Sequence, residues 1–515
     1  MQLGFVIDQS RCIGCHACTV ACKSENQVPL GDFRTWVKYT EEGEFPEVRR
    51  SFSVLRCNQC SEPPCVTICP VTALDKHANG IVEVDPALCI GCKSCMHACP
   101  YDALYINQNT GLAEKCHFCA HRVARGLAPA CAVVCPTEAI IPGDFDQATS
   151  RVSQMARDFD LSARKPEAKT QPNVFYKDVT TANIDPGLSN KAGGFLWSNA
   201  QTGPQMAAQT FEARDREMSG EPALARTTYD VPRKELWGSK ITGYLFFKSI
   251  AAGLLPVALM LHWTAGASLP GLGEAAVSLG FLLVTLLLLV FDLKRPERFL
   301  LILLRPNWDS WLARGSYLIL AYNLALVLWM ADAFMGWDLR GHVLAGSLVG
   351  LGGLTACYTA WLFGQARGRV LWMKRHFALH LLVQSALAGS AALALFAWSP
   401  WGAGLAGSSE ALGASALGEF MLACCGLHLI LTLLEDRCAP RGREKEYARA
   451  ARLVTHGPWM VRHWVGGVLF GTLAPIVLLV SPVDGAMQIA ALLMLVGLWI
   501  IEDVFIRAGQ ALPIS

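Results

Sequence analysis

Cys12-Ile13-Gly14-Cys15-His16-Ala17-Cys18-Thr19-Val20-Ala21-Cys22 opens a stretch that closes at Cys135-Pro136 and holds sixteen of the chain's twenty cysteines. They fall into four groups of four. The second group is Cys57, Cys60, Cys65 and Cys69, followed by Pro70. The third is Cys89, Cys92, Cys95 and Cys99, followed by Pro100. The fourth is Cys116, Cys119, Cys131 and Cys135, with an eleven-residue insert after Cys119. In a C-x2-C-x2-C-x3-C-P run, three closely spaced thiolates bind one 4Fe-4S cube and the fourth binds a neighbouring cube. Sixteen ligands therefore suit four cubes.

Two other uses of cysteine fit less well. A structural zinc site needs four ligands around one ion, and nothing in its geometry asks for the trailing cysteine and proline. A disulfide framework belongs to small exported domains. This chain reaches its first group straight after Met1-Gln2-Leu3-Gly4-Phe5-Val6-Ile7-Asp8, with no secretory or twin-arginine pattern.

The rest of the chain is unlike this stretch. Overall, 52% of residues are hydrophobic and 17% charged, with a mean hydropathy of +0.32. Most of the charge lies before residue 241. The net charge of +2 gives no reason to expect nucleic acid. Apolar runs long enough to cross a bilayer occur at 241–265, 274–292, 312–335, 342–364, 376–398, 412–434, 463–481 and 486–506.

Lys294, Arg295, Arg298, Arg305, Arg314, Arg367, Arg369, Lys374, Arg375, Arg437, Arg441, Arg443, Lys445, Arg449, Arg452 and Arg462 all fall on one side of such a bundle. The opposite connections (266–273, 336–341, 399–411 and 482–485) carry only Arg340. The positive-inside rule makes the basic side cytoplasmic. An even number of spans puts the cysteine domain and the C-terminus there too, in the bacterial inner membrane.

Short β-type segments (Gly4–Ile7, Trp36–Tyr39, Ser53–Leu55, Ile81–Val84) precede cysteine groups, and each proline turns the chain away after a fourth cysteine. Repeated groups imply two dicluster units. The expected fold is an α+β double dicluster ferredoxin domain joined to an all-α membrane bundle of eight transmembrane helices. Residues 1–176 form the first part and 241–515 the second. Residues 177–240, rich in small and polar residues with weak periodicity, read as a linker or docking segment.

Four groups with the x4 variant second and the long x11 variant fourth resemble the electron-transfer subunits of DMSO-reductase-type molybdoenzymes. That resemblance implies nested pairing. One cube would take Cys12, Cys15, Cys18 and Cys135, and another Cys22, Cys116, Cys119 and Cys131. A third would take Cys57, Cys60, Cys65 and Cys99, and the last Cys69, Cys89, Cys92 and Cys95. The nitrate-reductase branch has tryptophan where Cys92 stands, so four intact cubes are expected here. The segment from Lys165 to Tyr176 also resembles that family's tail. In the second half, Gly243–Gly253, Asp292–Phe299 and Arg305–Gly315 resemble NrfD-type membrane subunits of polysulfide-reductase-like complexes, which carry quinone chemistry without haem.

Polar groups within a bilayer are expensive and are functional candidates. Tyr244 and Lys248, one turn apart in the first span, suit a quinone site (menaquinone or ubiquinone); interfacial snorkelling is the alternative for Lys248. Arg295 and Glu297 would close the mouth of that site or act as anchors. Asp309 is placed to cap the third span. Glu419 belongs to a proton path or to a hydrogen bond within the bundle. His380 and His428, with His376 and His463 at span ends, are the ligands a rival b-type haem would use, although no haem is expected. His16, His97, His117 and His121 sit beside cluster cysteines, where surface positions are expected, with tuning of a potential as the alternative. Cys357, Cys424, Cys425 and Cys438 lack metal spacing.

No nucleotide-binding glycine loop, catalytic triad or pterin domain is present in this sequence. The expected role is therefore an electron-transfer and membrane-anchor subunit, without a substrate site of its own. A separate molybdenum or tungsten bis-pterin subunit would oxidise a cytoplasmic donor such as sulfite or formate, with membrane quinone as acceptor. A quinol-oxidising complex of the reductase direction and a proton-translocating module are the alternatives.

Overall fold

Leu3–Asp8 is buried along its whole length, which a strand achieves only with partners on both sides and cover on both faces. In the computed structural model it pairs antiparallel with Ile140–Asp144 and parallel with Val174–Lys177; Ser162–Ala163 completes that sheet. All residues are described except 192–203, 219–224, 232–234, 266–268, 338, 340 and 401–413. Arg340 and most of the 399–411 connection thus lie outside the described residues.

A second four-stranded sheet has the order Ser189–Lys191, Ala225–Tyr229, Thr35–Glu42, Arg49–Arg56. Two of its strands come from the segment expected to be a linker. The run Arg226-Thr227-Thr228-Tyr229, with two β-branched residues and an aromatic one, has the composition of a strand, and it pairs antiparallel with Tyr39–Glu41. The segment also contains a helix, Pro204–Met218, opened by proline at its first turn. Weak periodicity hid both elements.

Each cysteine group straddles a short helix: Ala17–Asn26, Pro64–Ile68, Ser94–Ala98, and the pair Ala120–Val123 and Ala130–Val133. The first packs against Ala130–Val133, and Pro64–Ile68 packs against Ser94–Ala98. Groups one and four thus meet, as do groups two and three. Two small hairpins, Leu74–Lys76 with Val82–Val84 and Leu104–Ile106 with Ala113–Lys115, flank the second pair.

Eight helices are long and apolar enough to cross a membrane: Ser239–Ala265, Leu272–Asp292, Trp311–Met335, His342–Gln365, Phe377–Trp398, Ala416–Leu433, Arg462–Leu479 and Ala486–Ala511. This is a multi-pass membrane protein. The first span is the central one: 83% of its most apolar window is buried, against 28% in the second and third. It crosses the fifth span at Gly253 and Gly389, where a Cβ on Gly389 would lie 2.2 Å from the Gly253 carbonyl carbon. Small residues are what allow helix backbones to approach this closely in a bilayer. The first twelve residues of the seventh span, Arg462–Leu473, are wound as a π-helix, a form that is frequent at functional sites.

The cluster domain sits on one end of the bundle. Asn307 donates to the carbonyls of Val66 (3.2 Å) and Cys69 (2.8 Å), and Ser310 to that of Ile68 (2.7 Å). Arg295 and Arg298 donate to the carbonyls of Thr110, Pro86 and Cys89. Lys93 reaches both carboxylate oxygens of Asp292 at 2.9 Å. Gly368 donates to the His97 carbonyl at 3.0 Å, and a Cβ there would strike the Cys99 carbonyl at 2.5 Å. The third span is capped not by Asp309 but from the fourth: Trp311 N–H donates to Gln365 Oε1 at 2.9 Å.

Candidate functional site: cysteine groups and a membrane cleft

The helix pairings bring together thiols far apart in sequence. Cys12 lies within electrostatic reach of Cys15 and Cys135, and Cys22 of Cys116, Cys119 and Cys131. Cys60 faces Cys57, Cys65 and Cys99. Cys95 faces Cys92, Cys89 and Cys69. Cys18 has both Cys12 and Cys131 near it. Among the described residues no three His, Cys, Asp or Glu side chains converge as a single metal ion would require. A cube, whose thiolates sit on separate corners, asks for a wider set than zinc does.

The surroundings suit an anionic, sulfur-rich group. Burial pushes the Cys18 thiol up to about 11 and the Cys92 thiol up to about 12. Such sulfurs become thiolates only beside positive charge, which iron supplies when bound. Arg56 is wholly buried, donates to Cys131 Sγ at 3.2 Å, and has no partner for Nε and Nη2. Its guanidinium covers the Phe5 ring at 4.3 Å. Backbone N–H groups of Ala113 and Ala139 point at Cys89 Sγ (3.5 Å) and Cys135 Sγ (3.2 Å), and Lys115 lies 3.6 Å from Cys57 Sγ. Donors aimed at sulfur are one of the protein's levers on a cluster.

His97 is not the surface residue expected. It is fully buried, with both ring nitrogens unpartnered. Burial pushes its pKa well below the usual histidine value, with the charges of Arg369 and Lys93 adding to that. Its ring lies 4.1 Å from that of Trp237 and 4.9 Å from that of Trp372, between centroids. From Trp372 the aromatic contacts continue through Phe363 (5.1 Å) to Phe505 (5.5 Å) and on to Phe377 (5.0 Å). Trp372 Nε1 is also bonded to the Phe505 carbonyl at 3.0 Å. His16, His117 and His121 are not fully buried; burial lowers His117 to about 4.

Phe377 and Phe505 line a cleft among the first, fifth, sixth, seventh and eighth spans. Lys374, Gln384, Glu435, His463 and Glu502 supply its polar groups. The amphipathic helix Glu444–Thr455 roofs it with Tyr447, Ala451 and Val454. Its rim includes Leu433, which is 56% exposed. An apolar cleft with a few convergent polar groups is what a planar, apolar small molecule needs.

Lys248 does not snorkel to an interface. It is wholly buried and donates to Thr359 Oγ1 at 2.7 Å and the Ala356 carbonyl at 3.1 Å. Tyr244 and Tyr358 share a hydrogen bond beside it. Lys248 also feels the charge of Glu502, so this group lies behind the cleft wall. Arg295 and Glu297 are not joined to it: Arg295 pairs with Glu297 at 3.2 Å and the Thr110 carbonyl at 2.7 Å, as an anchor on the cluster domain. Glu419 is exposed on the bundle surface.

Of the four histidines that a rival haem would use, His380 and His428 contact each other directly, Nε2 to Nδ1 at 3.3 Å. Sequence reasoning missed Trp372, Lys374, Glu435, Glu502 and Phe505 as a set, because they come from separate segments. The one available signal was Glu502, an acid in an apolar span.

Residues 228–513 match the family described as polysulphide reductase, NrfD. Residues 48–145 match a 4Fe-4S dicluster domain, and residues 3–24 a 4Fe-4S binding domain. The chain is 44% identical over 202 residues to the B subunit of tetrathionate reductase from Salmonella typhimurium, covering 38% of this chain and 80% of that one. It is 46% identical over 143 residues to the thiosulfate reductase electron transfer subunit PhsB of Salmonella typhi, covering 27% and 74% respectively. Protein NrfC of Escherichia coli is 40% identical over 178 residues, covering 34% and 80%.

Proposed function

The chain belongs to the NrfD polysulphide reductase family, fused to an iron–sulfur electron-transfer domain, and we propose that it carries electrons between a catalytic partner and membrane quinone. Its sixteen grouped cysteines would hold four 4Fe-4S cubes in the nested pairing, and these supply one-electron carriers when bound. Arg56, Lys115 and the N–H groups of Ala113 and Ala139 would offset their negative charge. His97, Trp372 and Phe505 hold the cluster domain against the cleft, where Lys374, Gln384, His463 and Glu502 would orient a quinone head. Tyr244 and Lys248 support Glu502 from behind.

The observation that carries this reading is the continuous aromatic contact from His97, between two ligand cysteines, to the cleft lining at Phe377 and Phe505. The partner would be a molybdenum or tungsten bis-pterin subunit, which accords with an N-terminal half similar to subunits of tetrathionate and thiosulfate reductases. With the basic loops cytoplasmic in the inner membrane, that partner would oxidise a donor such as sulfite or formate and reduce menaquinone or ubiquinone. The decisive experiment counts iron and follows reoxidation of the dithionite-reduced protein by a short-chain quinone. Iron near sixteen per chain, one per grouped cysteine, with quinone-driven recovery of cluster absorbance, is the expected result. Four or fewer irons, or no response to any quinone, refutes it. Protease added outside spheroplasts should spare the cluster domain; cleavage there overturns the orientation.

A further inference from the structure

One wall of the cleft carries a line of side chains for which electron transfer has no use. At the rim, Glu435 forms an ion pair with Lys374, and its side chain is 25% exposed. His380 Nδ1 lies 3.1 Å from the same Glu435 oxygen. The other nitrogen of that ring, Nε2, meets His428 Nδ1 at 3.3 Å. Beyond His428 stands His463, close enough for the two rings to feel each other's charge, and His463 lines the cleft. The line therefore starts at the cleft rim, passes through two buried rings and returns to the cleft.

We propose that Glu435, His380, His428 and His463 form a proton relay serving a quinone bound in the cleft. This rests on the quinone reading above. Reduction of a quinone takes two electrons, arriving from the cluster side, and two protons, one for each carbonyl oxygen as it becomes a hydroxyl. The relay supplies those protons, and water at the exposed edge of Glu435 replaces them. Quinol oxidation runs the same balance backwards. Imidazole suits the task because it accepts a proton at one nitrogen while releasing one from the other.

Burial opposes the charge of Glu435, but Lys374 and His380 hold its carboxyl well below the usual range. It therefore stays a carboxylate, and its charged oxygen faces His380 Nδ1 directly. The charged groups that act on the two rings are Glu435 and Lys374 at the rim, with His463 acting on His428 from the seventh span. Lys248 is committed to Thr359 and Ala356, and Asp503 to Arg462 and Arg507. The two histidines join the exposed carboxylate to His463 on the cleft lining.

The test uses the full-length protein, reduced with dithionite and mixed rapidly with decylubiquinone, with cluster absorbance followed across pH and in heavy water. His380→Asn and His428→Asn should slow reoxidation about tenfold or more near neutral pH, with partial rescue by added imidazole. The deficit should shrink as pH falls. Cluster EPR signals and quinone affinity should stay unchanged, as should every readout for His376→Asn, which lies outside the line. Glu435→Gln keeps the local shape and should displace the pH profile. A Glu435→Gln protein with wild-type profile and isotope effect refutes the relay, even where the histidine variants fail to fold. Wild-type rates in both histidine variants refute it as well. A wild-type protein that no quinone reoxidises refutes the quinone reading itself.

Discussion

Lys93→Met tests whether the cluster domain is locked to the membrane half by the Lys93–Asp292 ion pair. The two side chains are only 9% and 13% exposed, and Lys93 Nζ reaches both carboxylate oxygens at 2.9 Å. At that distance the gross attraction is about 6 kcal/mol at an effective dielectric of about 20, and desolvation offsets much of it. Removing one partner strands the other charge, which costs roughly 3–5 kcal/mol. For a domain of this size that lowers the melting midpoint by roughly 6–20 °C. The assay is loss of cluster absorbance on heating at fixed scan rate, for Lys93→Met, Asp292→Leu and the double variant. Each single variant should melt early, and the double should recover most of the loss because no charge remains stranded. Single variants within about 2 °C of wild type, or a double variant worse than the sum, would refute the reasoning.

Three further outcomes follow from the same contacts. Trp372→Leu removes the ring between His97 and Phe505 and should slow quinone-driven reoxidation in stopped flow, with cluster EPR signals unchanged. Gly389→Leu drives a side chain into the Gly253 backbone and should abolish monodisperse protein on size exclusion, whereas Gly350→Leu, which meets nothing within 4 Å, should not. Burial raises the Glu446 carboxyl, but Lys165 and Arg443 outweigh that and hold it below its ordinary value. Its folded value is thus below its unfolded one, so its contribution is complete at neutral pH and lost as pH falls below about 4.5. The gap in melting midpoint between wild type and Glu446→Gln should close over that range.

The cysteine spacing and the eight apolar runs were legible because each is a local pattern: ligand number in one case, bilayer thickness in the other. The observed spans begin and end within a few residues of the apolar runs, from Ser239–Ala265 to Ala486–Ala511. What stayed hidden depends on segments meeting in space. His97 reads as a polar residue in a cysteine loop until Trp237 and Trp372 are seen closing over it. Tyr244 and Lys248 stood out as polar groups in one span, but their partners Tyr358 and Thr359 lie more than a hundred residues away. Arg295 and Glu297 could be read either as site residues or as anchors, because both are charged and near a span end; Arg295 bonds Glu297 and the Thr110 carbonyl of the cluster domain. The strand Ala225–Tyr229 is too short to declare itself without Thr35–Glu42 beside it.

The basic loops now have two physical reasons to be basic, and these can be separated. Arg295, Arg298 and Arg367 donate to carbonyls of Thr110, Pro86, Cys89 and Lys169, so they serve the cluster domain whichever way the protein faces. Among the described residues, Arg305, Arg375, Arg441 and Lys445 make no side-chain hydrogen bond to that domain. Orientation should rest on this second set, since the rule counts lysine and arginine in short loops near span ends. Replacing those four by glutamine should therefore raise the fraction of chains whose cluster domain is cleaved by protease outside spheroplasts. Arg298→Gln should leave that fraction unchanged and instead lower the melting midpoint of the cluster domain. If the four-residue variant keeps wild-type protection, loop charge is serving the interface alone, and the cytoplasmic placement loses its support.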